Sequence, residues 1–184
     1  TRLSGHGLYD EYSLKNVDGK NWYMDIQEAF EIGDKIGEKI LVVATSFGCT
    51  LVTEYLSKTD KNNSVLGNVF ISPCFGVSDW RLFFGKYIWS KSLFKLFFGD
   101  QRVISNRNPE EKKWWCNTYP VESIVNLVIS VEKIWKSDFR KISSPALFIY
   151  SPKDKWISIP RLKKVSKRWG NDVSLVALDI KSNV

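Results

Sequence analysis

Ser46 has the residue setting best suited to chemistry. It stands in Ala44-Thr45-Ser46-Phe47-Gly48, directly after the apolar run Ile40-Leu41-Val42-Val43. A serine hydroxyl is a weak nucleophile at neutral pH and needs a base beside it. It must also be presented clear of the sheet. A strained turn between a strand and a helix does this, with small residues two positions before and after the serine. The usual pattern is G-x-S-x-G; here it reads A-x-S-x-G, and Ala44 still meets the need for a small side chain. The backbone N–H of Phe47 then faces the space where an oxyanion forms, and such a donor is worth roughly 3–4 kcal/mol in acyl transfer. The helix N-terminus adds a favourable dipole. The competing role for Thr45 or Ser46 is a helix N-cap, which both residue types favour.

Other chemistry-bearing residues are sparse. The chain holds one histidine, His6, and three cysteines, Cys49, Cys74 and Cys116. No C-x-x-C pair or Cys/His ligand spacing occurs, so no metal site is expected. No cofactor is implied. An odd, widely spaced cysteine set fits a reducing compartment better than a disulfide scaffold, and the expected location is cytoplasmic.

The elements around Ser46 follow from hydrophobic period. Residues 20–36 carry Trp22, Ala29, Phe30, Ile32 and Ile36 at helical spacing, with Gly37 as C-cap. Residues 40–45 are a continuous apolar run, the mark of a strand covered on both faces, as in a parallel sheet. A helical stretch follows over 46–57. Further strands are expected at 66–72, closed by Pro73, at 146–150 and at 173–178, with a helix over 160–169. Strands alternating with helices mean an α/β fold with a mostly parallel sheet and flanking helices.

About seventy residues between the second and third strands break this alternation, too many for a simple crossover. They are expected to be helical and hold Trp80, Phe83, Phe84, Tyr87, Trp89, Phe94, Phe97, Phe98, Trp114, Trp115 and Trp135. These aromatics serve core packing or line an apolar substrate pocket; packing is the favoured role. The domain reading is a core of residues 1–73 and 143–184 with a helical cap inserted over 74–142.

The chain has 184 residues, 43% of them hydrophobic, which suits one domain. Its formal net charge is +7. Acidic residues are interleaved with the lysines, and the densest basic cluster (Arg161, Lys163, Lys164, Lys167 and Arg168) reads as the wet face of one helix. A nucleic-acid-binding role is therefore not expected. No apolar run approaches the roughly 20 residues of a membrane span, so no stable membrane insertion is expected.

Three further segments carry a resemblance. Leu3-Ser4-Gly5-His6-Gly7 forms an L-x-G-H-G loop, Trp22-x-x-Asp25 follows on the first helix, and Ser144 to Asp154 forms a strand ending in an acid. With the serine elbow, this pattern resembles the α/β-hydrolase superfamily. It is most similar to the carboxylesterase and monoacylglycerol-lipase-like branch, which includes serine aminopeptidase-like proteins. The Tyr119-Pro120 helix start resembles the end of that branch's cap.

The resemblance implies a serine hydrolase acting on a carboxylic ester or related acyl compound through an acyl-enzyme. Ser46 is then the nucleophile, Phe47 N–H an oxyanion donor and Asp154 the acid that orients the base. Asp79 is a weaker candidate for the acid. His6 is placed in a structural loop, and its service as the base is the less favoured alternative. The family's base histidine follows the last strand, so it is expected just beyond Val184. The first strands and the second oxyanion donor are expected before Thr1, so both ends read as truncated. The alternative is a non-catalytic binding or scaffold protein of this fold that lacks the base. The expected partner is a small acyl or ester substrate with an apolar chain.

Overall fold

Four parallel strands form the main sheet in the order β1-β2-β5-β6: Ile40–Thr45, Val65–Ile71, Ala146–Tyr150 and Val173–Ala177. A second, antiparallel pair joins β3 (Gln101–Val103) to β4 (Thr118–Pro120). The helices are α1 (Gly19–Ile36), α2 (Phe47–Leu56), α3 (Val121–Lys133) and α4 (Ile159–Ser166). In this computed structural model residues 1–7, 13–59, 64–78, 99–103 and 118–179 are described. The fold is α/β, with a parallel sheet flanked by helices.

Local chemistry sets the helix bounds. The Asp18 carboxylate accepts from the amides of Lys20 and Asn21 at 2.8 and 3.2 Å, while the Asn21 side chain accepts from the Asp18 amide at 3.1 Å. This reciprocal capping satisfies donors that the first turn of α1 leaves orphaned. Trp22, Ile26 and Phe30 recur at a spacing of four and are buried. Helix α2 is buried on every side: Phe47 and all residues from Cys49 to Leu56 are hidden. It lies against β1, α1 and α3. Pro160 opens the first turn of α4, where a missing N–H costs nothing.

One face of the sheet holds the core. Val42, Phe70, Phe148 and Tyr150 point into it, with Leu51, Leu162 and Val165 packed on them from the helices and Trp169 from the chain after α4. Phe70 and Phe148 stack at 5.5 Å between ring centres, and Trp169 meets both edge-on. Each such side chain contributes roughly 1.5–3 kcal/mol by leaving water. The alternate residues do not follow the expectation of two covered faces. Leu41 and Val43 are 59% and 65% exposed, and Ile71 and Val176 about 40%. An apolar run specifies a strand that tolerates two covered faces, but a strand's period of two sends its residues to opposite sides. The helices described here bury only one of them.

The segment 74–142, expected to be a helical cap, is more varied. It contains the short strands β3 and β4 besides α3. Val131, Ile134, Phe139 and Ile142 belong to the same buried cluster as the sheet residues, as do Cys74 and Phe75. Trp135 is half-buried, donates its indole N–H to the Phe75 carbonyl at 3.0 Å and meets Phe139 edge-on. The remaining aromatics named above, from Trp80 to Trp115, lie outside the described residues, as does Cys116.

The basic helix α4 departs in part from a purely wet face. Lys163, Lys164 and Lys167 are exposed. Arg161, Lys164 and Arg168 lie over aromatic rings, Arg161 and Lys164 on Trp135 at 5.3 and 5.6 Å and Arg168 on Phe139 at 4.8 Å. Arg161 also pairs with Glu132. Long cationic side chains cover apolar surface with their stems and keep their heads near water, a use that charge counting does not distinguish from solvation.

Candidate active site

Parallel strands end on one edge, and loops leaving that edge are where open α/β sheets place their sites. Ser46 follows β1 directly, Ser72 follows β2, and Asp154 stands four residues past β5. The strand between them, β2, sets their separation.

Ser46 has φ 51° and ψ −118°, a conformation L-residues rarely adopt. Its side chain makes no capping bond to α2. Its backbone is instead tied at every polar atom. The Ser46 amide donates to the Ile71 carbonyl at 2.9 Å. Its carbonyl accepts from the amides of Cys49 and Cys74, both at 3.1 Å. Strain of this kind costs about 1–3 kcal/mol and persists where surrounding bonds over-determine it. The departure from glycine at position 44 is easily accommodated. A Cβ built on Gly48 would stand 3.9 Å from the Ala44 Cβ, an ordinary contact.

Phe47 is the first residue of α2, so its amide has no intrahelical partner. Its ring is held edge-on by Trp22 at 5.1 Å.

Asp154 is half-buried in a tight turn closed by its own amide on the Ser151 carbonyl at 3.1 Å. One carboxylate oxygen, Oδ1, accepts from the amides of Trp156 and Ile157 at 2.8 and 3.2 Å. Among the described residues the other oxygen, Oδ2, has no hydrogen-bond partner. Two amides therefore lock the carboxylate's orientation and leave one oxygen to act. The alternative acid, Asp79, lies outside the described residues.

A single segment links both candidates. After the second strained residue, Ser72 (φ 46°), the chain runs through Cys74, whose amide reaches Ser46. Two to four residues on, it meets the Asp154 turn: Val77 bridges Ile157, the Ser78 amide donates to Trp156 at 3.0 Å, and the Ser158 amide donates to Gly76 at 2.8 Å. The chain leaving β6 returns to the same place, where Asp179 pairs with Lys153 at 2.7 Å.

Neither described thiol competes as a nucleophile. Burial pushes the Cys74 thiol up to about 11 and raises that of Cys49 well above its ordinary value. Both are free and buried, and a protonated thiol is a poor attacker. His6 is engaged elsewhere. Its Nδ1 lies 3.3 Å from the Ser4 carbonyl and its ring packs against Trp22 at 6.1 Å. Among the described residues no group of three His, Cys, Asp or Glu stands together as a metal site would require. No helix among them is long and apolar enough to cross a membrane.

The L-x-G-H-G and W-x-x-D motifs meet as one lock. The Ser4 amide and hydroxyl donate to the two Asp25 oxygens at 2.6 and 2.8 Å, while Trp22 donates its indole N–H to the Ser4 carbonyl at 3.1 Å. That lock holds Trp22 against Phe47, and so reaches the elbow. A separate cleft of about 370 Å³ lies beside β1 and α1, lined by Leu3, Ile26, Phe30, Val42, Ala44 and Val52 among others. Neither Ser46 nor Asp154 lines it.

No family model matches the sequence, and no curated protein matches it. Solved structures do. A metagenome-derived lipolytic enzyme of the LipS and LipT pair superposes with a TM-score of 0.77 at 16% identity, over 97% of this chain and 70% of that one. A soluble variant of monoglyceride lipase from Saccharomyces cerevisiae, solved with a substrate analogue, gives 0.69 at 11% identity, over 95% and 66%. The monoacylglycerol lipase of Paleococcus ferrophilus gives 0.63 at 16% identity, over 88% and 65%. The chain has the α/β-hydrolase fold and spans 65% to 70% of the length of these proteins.

Proposed function

We propose that this chain carries the nucleophile and acid of a serine hydrolase that cleaves carboxylic esters. The observation that carries the reading is Ser46 at φ 51° and ψ −118°, held by three backbone bonds, with its side chain making no capping bond to α2. A strained serine at the C-terminal edge of a parallel sheet, ahead of a helix, is an arrangement suited to attack.

In this reading the Ser46 hydroxyl attacks the acyl carbon as an imidazole base takes its proton. The carbonyl oxygen becomes an oxyanion facing the Phe47 amide. The bond to the alcohol then breaks, the alcohol leaves with the proton, and water hydrolyses the acyl-serine. Asp154 holds the base in the right tautomer and stabilises its cation through Oδ2. The substrate class is an acyl ester, and the lipolytic neighbours favour one with an apolar chain. The free thiols of Cys49 and Cys74 agree with a reducing location such as the cytoplasm.

The rival reading is a binding protein of the same fold, in which no base acts on Ser46. The only histidine of the sequence, His6, is bonded to Ser4 and packed on Trp22. Free imidazole, supplied as the base, separates the two readings. Hydrolysis of a p-nitrophenyl acyl ester by this chain should rise with imidazole above the protein-free rate. Asp154→Asn should lower that increment at least about tenfold, since an amide cannot stabilise the cation. An imidazole response equal to the protein-free control would favour the binding protein.

A further inference from the structure

We infer that Thr50 is a positioning residue for the oxyanion donor, acting through Cys74 and the Ser46 carbonyl. The inference rests on the serine-hydrolase reading above and assigns a task to a residue far from the substrate.

The carbonyl of Ser46 and the amide of Phe47 belong to the same trans peptide, so they point in opposite directions. Whatever fixes the Ser46 oxygen fixes the aim of the Phe47 N–H. That oxygen is held from behind by the amides of Cys49 and Cys74, each at 3.1 Å. The Cys49 bond belongs to the start of α2. The Cys74 bond comes from a different part of the chain, and something must hold Cys74 in place.

Thr50 does so. It is fully buried, and its hydroxyl donates to the Cys74 carbonyl. A threonine in a helix commonly turns its hydroxyl back to the carbonyl four residues earlier. Thr53 behaves this way, bonding Cys49 at 2.7 Å. For Thr50 the carbonyl four residues earlier is that of Ser46. Thr50 forgoes it and reaches across to Cys74, which leaves the Ser46 oxygen to the two amides. Cys74 is thereby gripped at its N–H and its C=O, by Ser46 and by a residue one helical turn beyond Ser46. The turn that brings it there is itself strained, at Ser72, whose amide is anchored on Ile149 at 2.7 Å. Two strained residues thus flank a single hydrogen bond, and the Thr50 hydroxyl closes the ring.

The test compares Thr50→Val, Thr50→Ser and Ser123→Ala in the 184-residue chain. The readouts are the rate at which a fluorophosphonate labels Ser46 in the presence of imidazole, and the amide resonance of Phe47. Thr50→Val should label roughly 10- to 100-fold more slowly, the scale of a misaimed catalytic group. Thr50→Ser, which keeps the hydroxyl, should recover most of the rate. Ser123→Ala loses a buried hydroxyl bond, to the Pro120 carbonyl at 2.7 Å, that holds neither donor to the Ser46 oxygen, and should label like the parent. The Phe47 resonance should move in Thr50→Val and stay in place in Ser123→Ala. If Thr50→Val does not fold, Thr50→Ala gives the same readouts with less crowding. Equal labelling of the Thr50 and Ser123 variants, with Phe47 unmoved, overturns this inference alone. A parent chain that never labels at Ser46 overturns the hydrolase reading and this inference together.

Discussion

The Cys74 amide donates to the Ser46 carbonyl at 3.1 Å, and this bond ties the chain after β2 to the elbow after β1. The same stretch of chain, through Val77 and Ile157, ties the elbow to the turn that carries Asp154. The spacing of Ser46 and Asp154 is therefore set by backbone contacts of one connecting segment. Side-chain contacts between the two are not needed to bring them to one edge.

The thiol of Cys74 makes stability depend on alkaline pH. An unfolded thiol loses its proton near 9.0, whereas the folded one keeps it until about 11. The contribution is fully present below 9.0 and is lost as pH rises toward the folded value, because only the unfolded state can ionise. The loss approaches about 3 kcal/mol. Denaturant melts from pH 8 to 11 should show a steeper decline for the parent than for Cys74→Ala. Parallel curves would contradict the buried thiol's role.

The lock between Ser4 and α1 should be worth a measurable part of the stability. Asp25→Ala leaves the Ser4 amide and hydroxyl without their acceptors in a half-buried site. The cost is expected at about 1–3 kcal/mol, read from the urea midpoint. A variant as stable as the parent would show that water replaces the carboxylate without loss.

Gly48 is a helical glycine with room for a methyl group, since only Ala44 comes within 4 Å of a Cβ built there. Gly48→Ala should stabilise the chain by about 0.5–1 kcal/mol through helix propensity. A destabilised variant would mean that the elbow needs its glycine for backbone freedom.

Glu54 is a buried carboxylate whose partners are exposed. Its side chain is 2% accessible, while Lys58 and Lys133, at 2.5 and 2.9 Å, are 44% and 56% accessible. Burial and this carboxylate together raise the Tyr23 phenol above its ordinary value. Replacing both lysines with Met should cost about 3–5 kcal/mol by stranding the charge. Glu54→Gln should cost less, because the freed lysines return to water. Equal losses in thermal or urea melts would remove the asymmetry.

Much of this was legible in the residues. The strand at 146–150 and the helix from 20 to 36 follow from period and composition, and the structure places them at Ala146–Tyr150 and Gly19–Ile36. The strained turn at Ser46 was visible because strain demands small neighbours, and Ala44 and Gly48 are small. Two things were not legible. The open face of the sheet was hidden, since Leu41 and Val43 read as apolar whether or not a layer covers them. The Thr50–Cys74–Ser46 ring was also hidden. Its bonds run through backbone atoms twenty or more residues apart, and no side-chain pattern records which carbonyl a buried hydroxyl chooses.

Site mapping of a fluorophosphonate adduct decides whether Ser46 is the nucleophile. The chain is incubated with probe and increasing imidazole, digested, and the modified peptide identified by mass. One adduct is expected, on Ser46, forming faster with imidazole and absent in Ser46→Ala. A folded chain that gains no adduct on Ser46 at any imidazole concentration, or labels equally well as Ser46→Ala, would contradict it.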